Sequence, residues 1–287
     1  MSFGETLKRI RKNRCLTQLE VCDGIMKQST YSRIENGQLD ISAEHLVRFT
    51  ERLNISLNEF LYIHQGYKST PRQKLIIDYM KIELALPEVL SLNQKSVEAY
   101  LKKHSDIDIE LLSLCYDVLI ALSTDNDLQK VQCICNKIWT RLQKLEHWYI
   151  NDLELLIVII IYFPFDTAKE ITKTALTRLH AYESYEKDLT HLHIYFLINI
   201  TILYLDQKQY EEALTLLENL QQQYIKHFTY PILGLLIVRK IICKYFLEKT
   251  YEEDLLKLRM LNELFEDEEV FEALYEGLVT YGVEFER

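Results

Sequence analysis

The stretch TQLEVCDGIMKQSTYSRIENG, residues 17–37, predicts two short helices joined by a tight connection and closed by a glycine. Thr17 can cap the first helix, and Glu20 stands three residues later, where it completes a capping box. Gln28 or the serine after it opens the second helix, and Gly37 supplies the left-handed residue that ends it. A polar helix of about two turns in this setting fits the DNA major groove. The stretch therefore indicates a helix-turn-helix that binds DNA.

Composition favours an all-α protein of one large domain or two smaller ones. Of the 287 residues, 48% are apolar, which is enough for a sizeable core, and only seven are Gly and four Pro. All-β architectures use more turn residues than this. The net charge of −10 is unevenly distributed, because residues 1–63 carry +1 and the remainder carries −11. DNA would repel the acidic body while the small N-terminal unit binds it.

No targeting or membrane-spanning segment is expected. Residues 1–16 are charged throughout, unlike a signal peptide. The longest apolar run, residues 153–165, is interrupted by Glu154 and Pro164 and is too short to cross a bilayer. We therefore interpret the run as a buried helix and expect a cytoplasmic protein without a membrane partner.

The cysteines and the short motifs do not indicate catalysis. Cys133 and Cys135 are separated by one residue, a spacing that suits neither a zinc site nor a redox dithiol. The six cysteines are expected to be mostly buried, reduced thiols, although Cys15 lies in a predicted loop and is a candidate reactive thiol. The sequence contains no Gly-rich phosphate loop, no HExxH and no G-x-S-x-G motif. Neither an enzyme nor a metal or other cofactor is expected.

The N-terminal unit is predicted to contain five helices. They lie at about 3–13, 17–24, 28–36, 43–53 and 56–63. The polar segment HQGYKSTPRQK, residues 64–74, contains Gly66 and Pro71 and holds the domain boundary. This predicts a helix-turn-helix domain over residues 1–65 and a second helical domain over residues 66–287.

The second domain is predicted to be built from repeated helix pairs. Its amphipathic helices lie at about 72–85, 94–103, 107–122, 128–144, 150–163, 166–183, 188–206, 209–225, 232–248, 251–264 and 267–281. TILYLDQKQYEEALTLL and IICKYFLEKTYEEDLLKL align with Tyr204 over Tyr245 and Tyr210 over Tyr251, a shift of 41. Equivalent anchors at 122, 162, 204 and 245 are 40 to 42 residues apart. Such a period is typical of a solenoid.

The segment 201–217 resembles the tetratricopeptide pattern, with Tyr204 closing one helix and Ala213 letting the next pack closely. The period exceeds the usual repeat of about 34 residues. We therefore expect a tetratricopeptide-like, right-handed α-solenoid of longer helix pairs.

The exposed face of the second motif helix is expected to contact base edges. Gln28, Ser29 and Arg33 are the candidates for direct readout, because Gln can pair with adenine and Arg with guanine. A second set is expected to contact phosphates, namely Gln18, Lys27, Thr30, Ser32 and Asn36. These contacts position the protein without specifying a sequence.

Other residues of the same unit are interpreted as structural. Arg11 and Glu35 are placed to form an internal ion pair between the first helix and the recognition helix, and Tyr31 and Ile34 are expected in the core. Three further basic residues are expected either to contact phosphates or to face solvent, namely Lys8, Arg9 and Arg14.

The motifs T-Q-x-E, S-T-x-S-R-I-E-x-G and N-I-S-L-N-E-F resemble the XRE/Cro class of helix-turn-helix, with a connection one residue shorter than its common form. With ISAEHLVRFTERLNISLNEFLYIH and the helical body, the chain resembles the Rgg/MutR/GadR transcription regulators of Gram-positive bacteria. HWYINDLELLIVIIIYFPF and FLINITILYLDQKQYEEAL are similar to the repeat domain of that family. The resemblance covers essentially the whole chain.

The resemblance implies a homodimer, joined through the repeat domain, that binds double-stranded promoter DNA as a two-fold unit and acts with RNA polymerase. It also implies a short imported peptide pheromone as ligand, bound on the concave repeat surface and switching transcription in quorum sensing. The tetratricopeptide-like pattern places Asn199 and Ile202 on the inner face, with Arg239 near the equivalent place in the next unit.

We expect Asn199 to bind peptide backbone and Arg239 to meet a carboxylate. The alternatives are that Asn199 bridges neighbouring helices and that Arg239 is an ordinary surface residue. Trp139 and Trp148 are expected near the groove, where peptide binding would change their fluorescence.

Two alternative functions stay open. One is a protein-interaction scaffold whose repeat groove binds a partner protein, with the DNA-binding unit secondary. The other is a regulator without a peptide that answers to pH, redox or metabolic state, for which the eight His residues and Cys15 are candidates. The operator, the peptide and the sign of regulation cannot be derived from the sequence.

Overall fold

The computed structural model describes residues 2–82, 84, 86–124, 128–185 and 188–283. The chain divides into two compact units, Met1–Lys74 and Leu75–Arg287. This division falls at the end of the polar segment 64–74, nine residues beyond the boundary expected at residue 65. Within the described ranges all regular structure is helical.

The first unit contains the five expected helices, each beginning and ending within two residues of its predicted bounds. They are α1 (Phe3–Asn13), α2 (Gln18–Cys22), α3 (Gln28–Glu35), α4 (Ala43–Arg52) and α5 (Leu57–His64). Side-chain oxygens accept hydrogen bonds from backbone N–H groups at four of the five helix starts, where the cap residues are Ser2, Thr17, Ser42 and Ser56. These caps fix where the helices begin.

The core of the first unit is small and rich in aromatic residues. Leu7, Tyr31, Phe49 and Phe60, one from each of α1, α3, α4 and α5, are fully buried. Tyr31 packs on Phe49 with ring centroids 4.7 Å apart. Ile34 is also buried, so the predicted core role of this residue and of Tyr31 is confirmed. The buried face of α3 leaves its opposite face in solvent.

Eleven further helices follow along the chain. They are α6 (Pro71–Met80), α7 (Pro87–Leu101), α8 (Ile107–Thr124), α9 (Leu128–Leu142), α10 (Ile150–Ile159), α11 (Phe165–His180), α12 (Thr190–Asp206), α13 (Tyr210–Tyr224), α14 (Tyr230–Phe246), α15 (Glu252–Phe265) and α16 (Glu268–Thr280). Short 3-10 turns, Ile160–Tyr162 and Ile225–His227, extend α10 and α13. Two predicted bounds were wrong, because α6 ends at Met80 and α7 begins at Pro87, where proline suits a first helical turn. Residues 83 and 85 of the predicted helix 72–85 lie outside the described residues.

The repeats form two layers of helices. α8, α10, α12 and α14 contact one another in succession, while α11, α13 and α15 pack against members of that row. Tyr204 and Tyr245 lie near the ends of α12 and α14, and Tyr210 and Tyr251 lie at the starts of α13 and α15. The predicted shift of 41 therefore relates equivalent positions of successive helix pairs. Ala213 is fully buried, as its expected close packing requires.

Four of the six cysteines are buried, and two are exposed. The exposed pair is Cys15, in the loop between α1 and α2, and Cys133, on α9. The expectation that Cys133 is buried was therefore wrong, since it lies on the solvent side of its helix. Among the described helices, none combines the length and the apolar character needed to cross a bilayer.

Candidate DNA-reading helix and ligand cavity

The recognition helix α3 is tied to α1 by a buried ion pair. Nε and Nη2 of Arg11 donate to the two carboxylate oxygens of Glu35 over 2.6 and 2.8 Å, and Glu35 is fully buried. Nη1 of Arg11 donates to the carbonyl of Leu16. A bidentate pair restricts both rotation and sliding of one helix on the other. The predicted internal ion pair is confirmed.

Glu35 has a third donor in Gln18, whose Nε2 lies 2.8 Å from Oε2 of the carboxylate. Burial raises the pKa of the Glu35 carboxyl, but the hydrogen bonds from Arg11 and Gln18 outweigh it, so the pKa is lowered overall. The Gln18 amide has a second N–H, and its predicted phosphate contact stays a prediction. The carboxylate therefore joins α1, the N-terminus of α2 and α3 in one cluster.

α1 and α3 approach each other closely at Gly4. A Cβ added to Gly4 would stand 1.7 Å from the carbonyl oxygen of Ile34, and this oxygen belongs to rigid helix backbone. Gly4 is thus the residue that allows the Arg11–Glu35 pair to close.

We expect Gly4→Ala to destabilise the first unit by about 3 kcal/mol, because the added methyl group forces the two helices apart. The loss is measured as faster amide exchange in α1 and α3 of the full-length protein. Lys12→Ala, on the exposed side of α1, is the control and should leave exchange unchanged. Equal exchange in the two variants would contradict the close approach.

The residues predicted to read DNA lie on the solvent side of α3. Gln28, Ser29 and Arg33 are exposed, and the guanidinium of Arg33 has no hydrogen bond or ion pair within the described part of the chain. The residues predicted to contact phosphates are also accessible to solvent. Lys27 and Asn36 are exposed, and Gln18, Thr30 and Ser32 are partly exposed. Asn36 accepts a hydrogen bond from Nζ of Lys8, 2.8 Å away. These side chains form one polar surface on α3 and its flanks.

Most other arginines of the first unit stabilise helix ends. Arg9 donates to the carbonyl of Ile63 and Arg14 to that of Asn54. Arg48 donates to the carbonyl of Gly24, and Arg52 donates to those of Glu20 and Asp23. Guanidinium groups at the carbonyl ends of helices also interact favourably with the helix dipole. The three hydrogen bonds from Arg48 and Arg52 hold the five-residue α2 and the turn after it in place, a role that the sequence patterns do not show.

A cavity of about 230 Å³ lies against the row formed by α8, α10, α12 and α14. Its walls are mostly apolar side chains of α6, α8, α10, α12 and α14, with polar groups from Glu154, His191, Tyr195 and Asn199. A second cavity of about 470 Å³ shares five of its lining residues, namely Met80, Glu154, His191, Tyr195 and Ile232. The two cavities therefore adjoin each other. An apolar cavity with a few polar groups is typical of a small-ligand site.

Asn199 lines the smaller cavity and also bridges helices. Its Nδ2 donates to the carbonyl of Ile157 on α10 over 3.0 Å, so the bridging alternative is confirmed. Ile202 is half-buried, packs against the core and does not line either cavity among the described residues. Their contacts with a peptide stay predictions.

Arg239 lies inside the repeat unit. It is 6% exposed, and its Nη1 donates to the carbonyl of Ile198 and to Oγ1 of Thr201, the latter over 2.9 Å. The alternative of an ordinary surface residue was therefore wrong, because the side chain is enclosed between α12 and α14. Burial lowers the pKa of the Arg239 guanidinium to about 10. Its predicted contact with a ligand carboxylate is untested, and its donors already hold α14 to α12.

The two tryptophans belong to one aromatic cluster. Trp139 is on α9, and its ring packs on those of Trp148 and Phe163 with centroids 6.3 and 4.9 Å apart. Nε1 of Trp148 donates to the carbonyl of Leu142. Neither tryptophan is among the residues that line the two cavities, and their expected position near the groove stays a prediction. The described side chains also include no cluster of three His, Cys, Asp or Glu groups placed to hold a metal ion.

Two family models match the chain. A helix-turn-helix model matches residues 7–60, and the model of the C-terminal domain of the HTH-type transcriptional regulator Rgg matches residues 91–247. The second match alone covers more than half of the chain. No functionally curated protein matches at a significant level.

Solved structures share the fold over nearly the whole chain. PlcR of Bacillus thuringiensis, in complex with the peptide PapR7 and DNA, has 19% identity and a TM-score of 0.72, covering 97% of this chain and 99% of its own. The SHP pheromone receptor Rgg2 of Streptococcus dysgalactiae has 16% identity, a TM-score of 0.67 and coverages of 97% and 99%. ComR from S. thermophilus, in complex with DNA and its signalling peptide ComS, has 16% identity, a TM-score of 0.64 and coverages of 98% and 100%.

Proposed function

The chain belongs to the Rgg family of HTH-type transcriptional regulators, and we propose that a short peptide in its repeat cavity switches its binding to promoter DNA. The observation that carries the proposal is the pairing of two sites in one chain. One is a recognition helix whose outer face is polar and whose inner face is fixed by a buried ion pair. The other is an apolar cavity in the repeats.

Direct readout is assigned to the outer face of α3. Arg33 has a free guanidinium among the described residues, and this group can pair bidentately with guanine O6 and N7. Gln28 and Ser29, at the N-terminal end of α3, face solvent where a major-groove helix meets base edges. The fixed position of α3 means that its backbone is already ordered before binding, so that only the rotamer freedom of these side chains is lost.

Phosphate contacts are assigned to the flanks. The predicted set comprises Gln18, Lys27, Thr30, Ser32 and Asn36. Lys12 joins it, because it is exposed and unpaired within the described residues, whereas Arg9 and Arg14 are engaged at helix ends. Arg9 and Arg14 are therefore bound to backbone carbonyls and are not simply solvated.

We expect DNA binding to weaken steeply with salt. If each of two units neutralises about three phosphates, the logarithm of affinity falls with the logarithm of salt with a slope of about −5, or about 10³-fold between 50 and 200 mM. Fluorescence anisotropy of a labelled duplex from upstream of the gene, titrated at four salt concentrations, measures this. A slope near zero would show that the unit does not bind the DNA backbone.

Peptide binding is assigned to the two adjoining cavities. The apolar walls suit aliphatic side chains, and Asn199 and Tyr195 can hydrogen-bond an extended backbone. PlcR and ComR, which share the fold, hold a peptide and DNA in their structures. The regulator is further proposed to be a cytoplasmic homodimer that acts with RNA polymerase at the promoter.

The test uses the full-length protein and the same duplex. The protein is incubated with a synthetic pool of apolar heptapeptides, and the peptides that it has bound are eluted and identified. Each of these peptides is then added to the anisotropy assay. The proposal expects at least one bound peptide to change operator affinity fivefold or more. Bound peptides without any effect on DNA binding would favour a groove that serves only as a scaffold.

A redox-controlled regulator is the second candidate, and the exposure of Cys15 favours it. Cys15 stands between α1 and α2 with a left-handed backbone (φ 55°), beside the Leu16 carbonyl that Arg11 holds. Oxidation there would disturb the start of the helix-turn-helix. Loss of operator binding on mild oxidation, absent in Cys15→Ser, would support this candidate over the peptide.

A further inference from the structure

Lys8 on α1 reaches across to the end of the recognition helix. Its Nζ donates a hydrogen bond to Oδ1 of Asn36 over 2.8 Å. Asn36 is the C-cap residue of α3 and is exposed, and Lys8 is partly exposed. Arg9 and Arg14 donate to backbone carbonyls. Lys8 is instead bonded to a side chain of the polar surface that is predicted to face DNA.

The chemistry of Lys8 fixes the orientation of the Asn36 amide. An ammonium group has donors and no acceptor, so the amide turns its oxygen toward Lys8. The Nδ2 group of Asn36, which carries two N–H donors, therefore lies on the other side of the amide. The pair offers a ligand N–H donors from both side chains and one positive charge.

Two further contacts hold α1 and α3 in a fixed relation around the pair. Gly4 lies against the backbone of α3 with no room for a Cβ, and Arg11 is joined to α3 by its bidentate ion pair. Lys8 stands on α1 four residues after Gly4 and three before Arg11, so that these contacts bracket it. The packing of the two helices therefore holds the ammonium close to Asn36.

The acids nearest to the pair along the chain are engaged elsewhere. Glu5, three residues before Lys8, closes the capping box at the start of α1. Glu35, next to Asn36, is bound by the guanidinium of Arg11 and is fully buried. The charge of Lys8 is therefore not neutralised by either carboxylate.

Asn36 lies on the same side of α3 as the residues assigned to base readout, but at the opposite end. It follows Arg33 by three residues and Ser29 by seven, which places all three on one face. The N-terminal residues of a major-groove helix meet the base edges. An asparagine that pairs with adenine needs both its oxygen and its Nδ2, and the bond from Lys8 competes for the oxygen. A phosphate needs only donors and positive charge, so the pair fits a phosphate.

We propose that Lys8 is a positioning residue for DNA binding, which orients the amide of Asn36 so that the two side chains bind one phosphate together. The inference rests on the proposed function and adds Lys8 to its DNA-binding surface. One donor of the ammonium is used on Asn36, and the other donors of the pair meet the acceptor oxygens of the phosphate. Such a contact contributes equally on every sequence and sets the position of α3 in the groove.

A double-mutant cycle separates a joint site from two independent contacts. Fluorescence anisotropy of full-length Lys8→Met, Asn36→Ala and the double variant is measured on the duplex from upstream of the gene and on a scrambled duplex of equal length. Each single substitution should weaken binding to both duplexes by about tenfold. The double variant should bind at most about twofold more weakly than the weaker single variant. Lys8→Arg keeps a donor-only cation and should stay within about threefold of the wild type.

The matched control is Lys12→Met, which removes the same charge from α1 one turn further on, at an exposed position. Its effect should multiply with that of Asn36→Ala, because the two side chains act independently.

The salt dependence gives a readout that a purely structural role of Lys8 would not change. The slope of the logarithm of affinity against the logarithm of salt should be smaller in magnitude by about two in Lys8→Met, one for each unit of the dimer. Asn36→Ala removes no charge and should change this slope by less than about one. Amide exchange in α1 and α3 of each variant verifies that both helices stay folded.

Each contrary outcome has its own meaning. Losses that multiply in the Lys8→Met and Asn36→Ala cycle would overturn the positioning role of Lys8. Unchanged affinity in folded Lys8→Met would overturn the phosphate contact. A loss confined to the upstream duplex would assign the pair to base reading and overturn the phosphate site. Failure of the wild type to bind either duplex at low salt would contradict the proposed function and the inference with it.

Discussion

Arg33→Ala will reduce affinity for the operator by roughly 30-fold to 10⁴-fold and leave the fold intact. A bidentate pair with a base contributes about 1–3 kcal/mol of discrimination, and a two-fold dimer loses two such pairs. The folded state should not change, because the Arg33 side chain is exposed and has no partner within the described residues. Anisotropy titrations with the operator and with a scrambled duplex of equal length measure the effect.

The control separates sequence reading from charge. Lys12→Ala removes one positive charge from the exposed side of α1, and its effect should be equal on the operator and on the scrambled duplex. In Arg33→Ala the operator should lose far more affinity than the scrambled duplex. A loss of the same size on both duplexes would reduce Arg33 to a phosphate contact and contradict its assignment to base readout.

Glu35→Ala will destabilise the first unit by about 3–5 kcal/mol, because it leaves the guanidinium of Arg11 buried without its partner. It also removes the acceptor of Gln18. Since the two units need not unfold together, the measurement is amide exchange in α1–α3 of the full-length protein. Glu44→Ala, at an exposed position of α4, is the control and should change exchange little.

The same carboxylate predicts a pH dependence. Its folded pKa lies below the unfolded value of about 4.3. The stability that it contributes is therefore complete above that value and is lost as the pH falls through the folded pKa. In Glu35→Gln, the stability of the first unit should fall less as the pH is lowered. An equal loss of stability at low pH in the wild type and the variant would show that Glu35 is not the group responsible.

The N-terminal unit was predictable because local chemistry decides its helix ends. Thr17 and Glu20 form the expected capping box, and Gly37 has the left-handed conformation (φ 69°) that ends the recognition segment. The spacing of Tyr204 and Tyr245 similarly predicted where helix pairs repeat. Such features depend on residues within one turn or one repeat, and the sequence contains them directly.

Contacts between distant elements were harder to predict. Arg48 and Arg52 reach from α4 to carbonyls of α2 and of the turn that follows it, and sequence spacing does not reveal which carbonyls are near. The position of Arg239 depends on how α14 packs on α12, and repeat alignment alone cannot show which side of a helix the next pair covers. For the same reason repeat alignment could not show that Trp139 packs on Trp148 and Phe163 and is not among the residues that line the cavities.

The most direct test of the central claim is a selection of DNA fragments by purified full-length protein, with and without the synthetic apolar heptapeptide pool, followed by sequencing. The account predicts an enriched site with two symmetry-related half-sites about one helical turn or a multiple of it apart. It also predicts that the peptide pool changes the enrichment and that Arg33→Ala abolishes it. Failure of the wild type to enrich any sequence at low salt, or the same enriched site in Arg33→Ala, would contradict it.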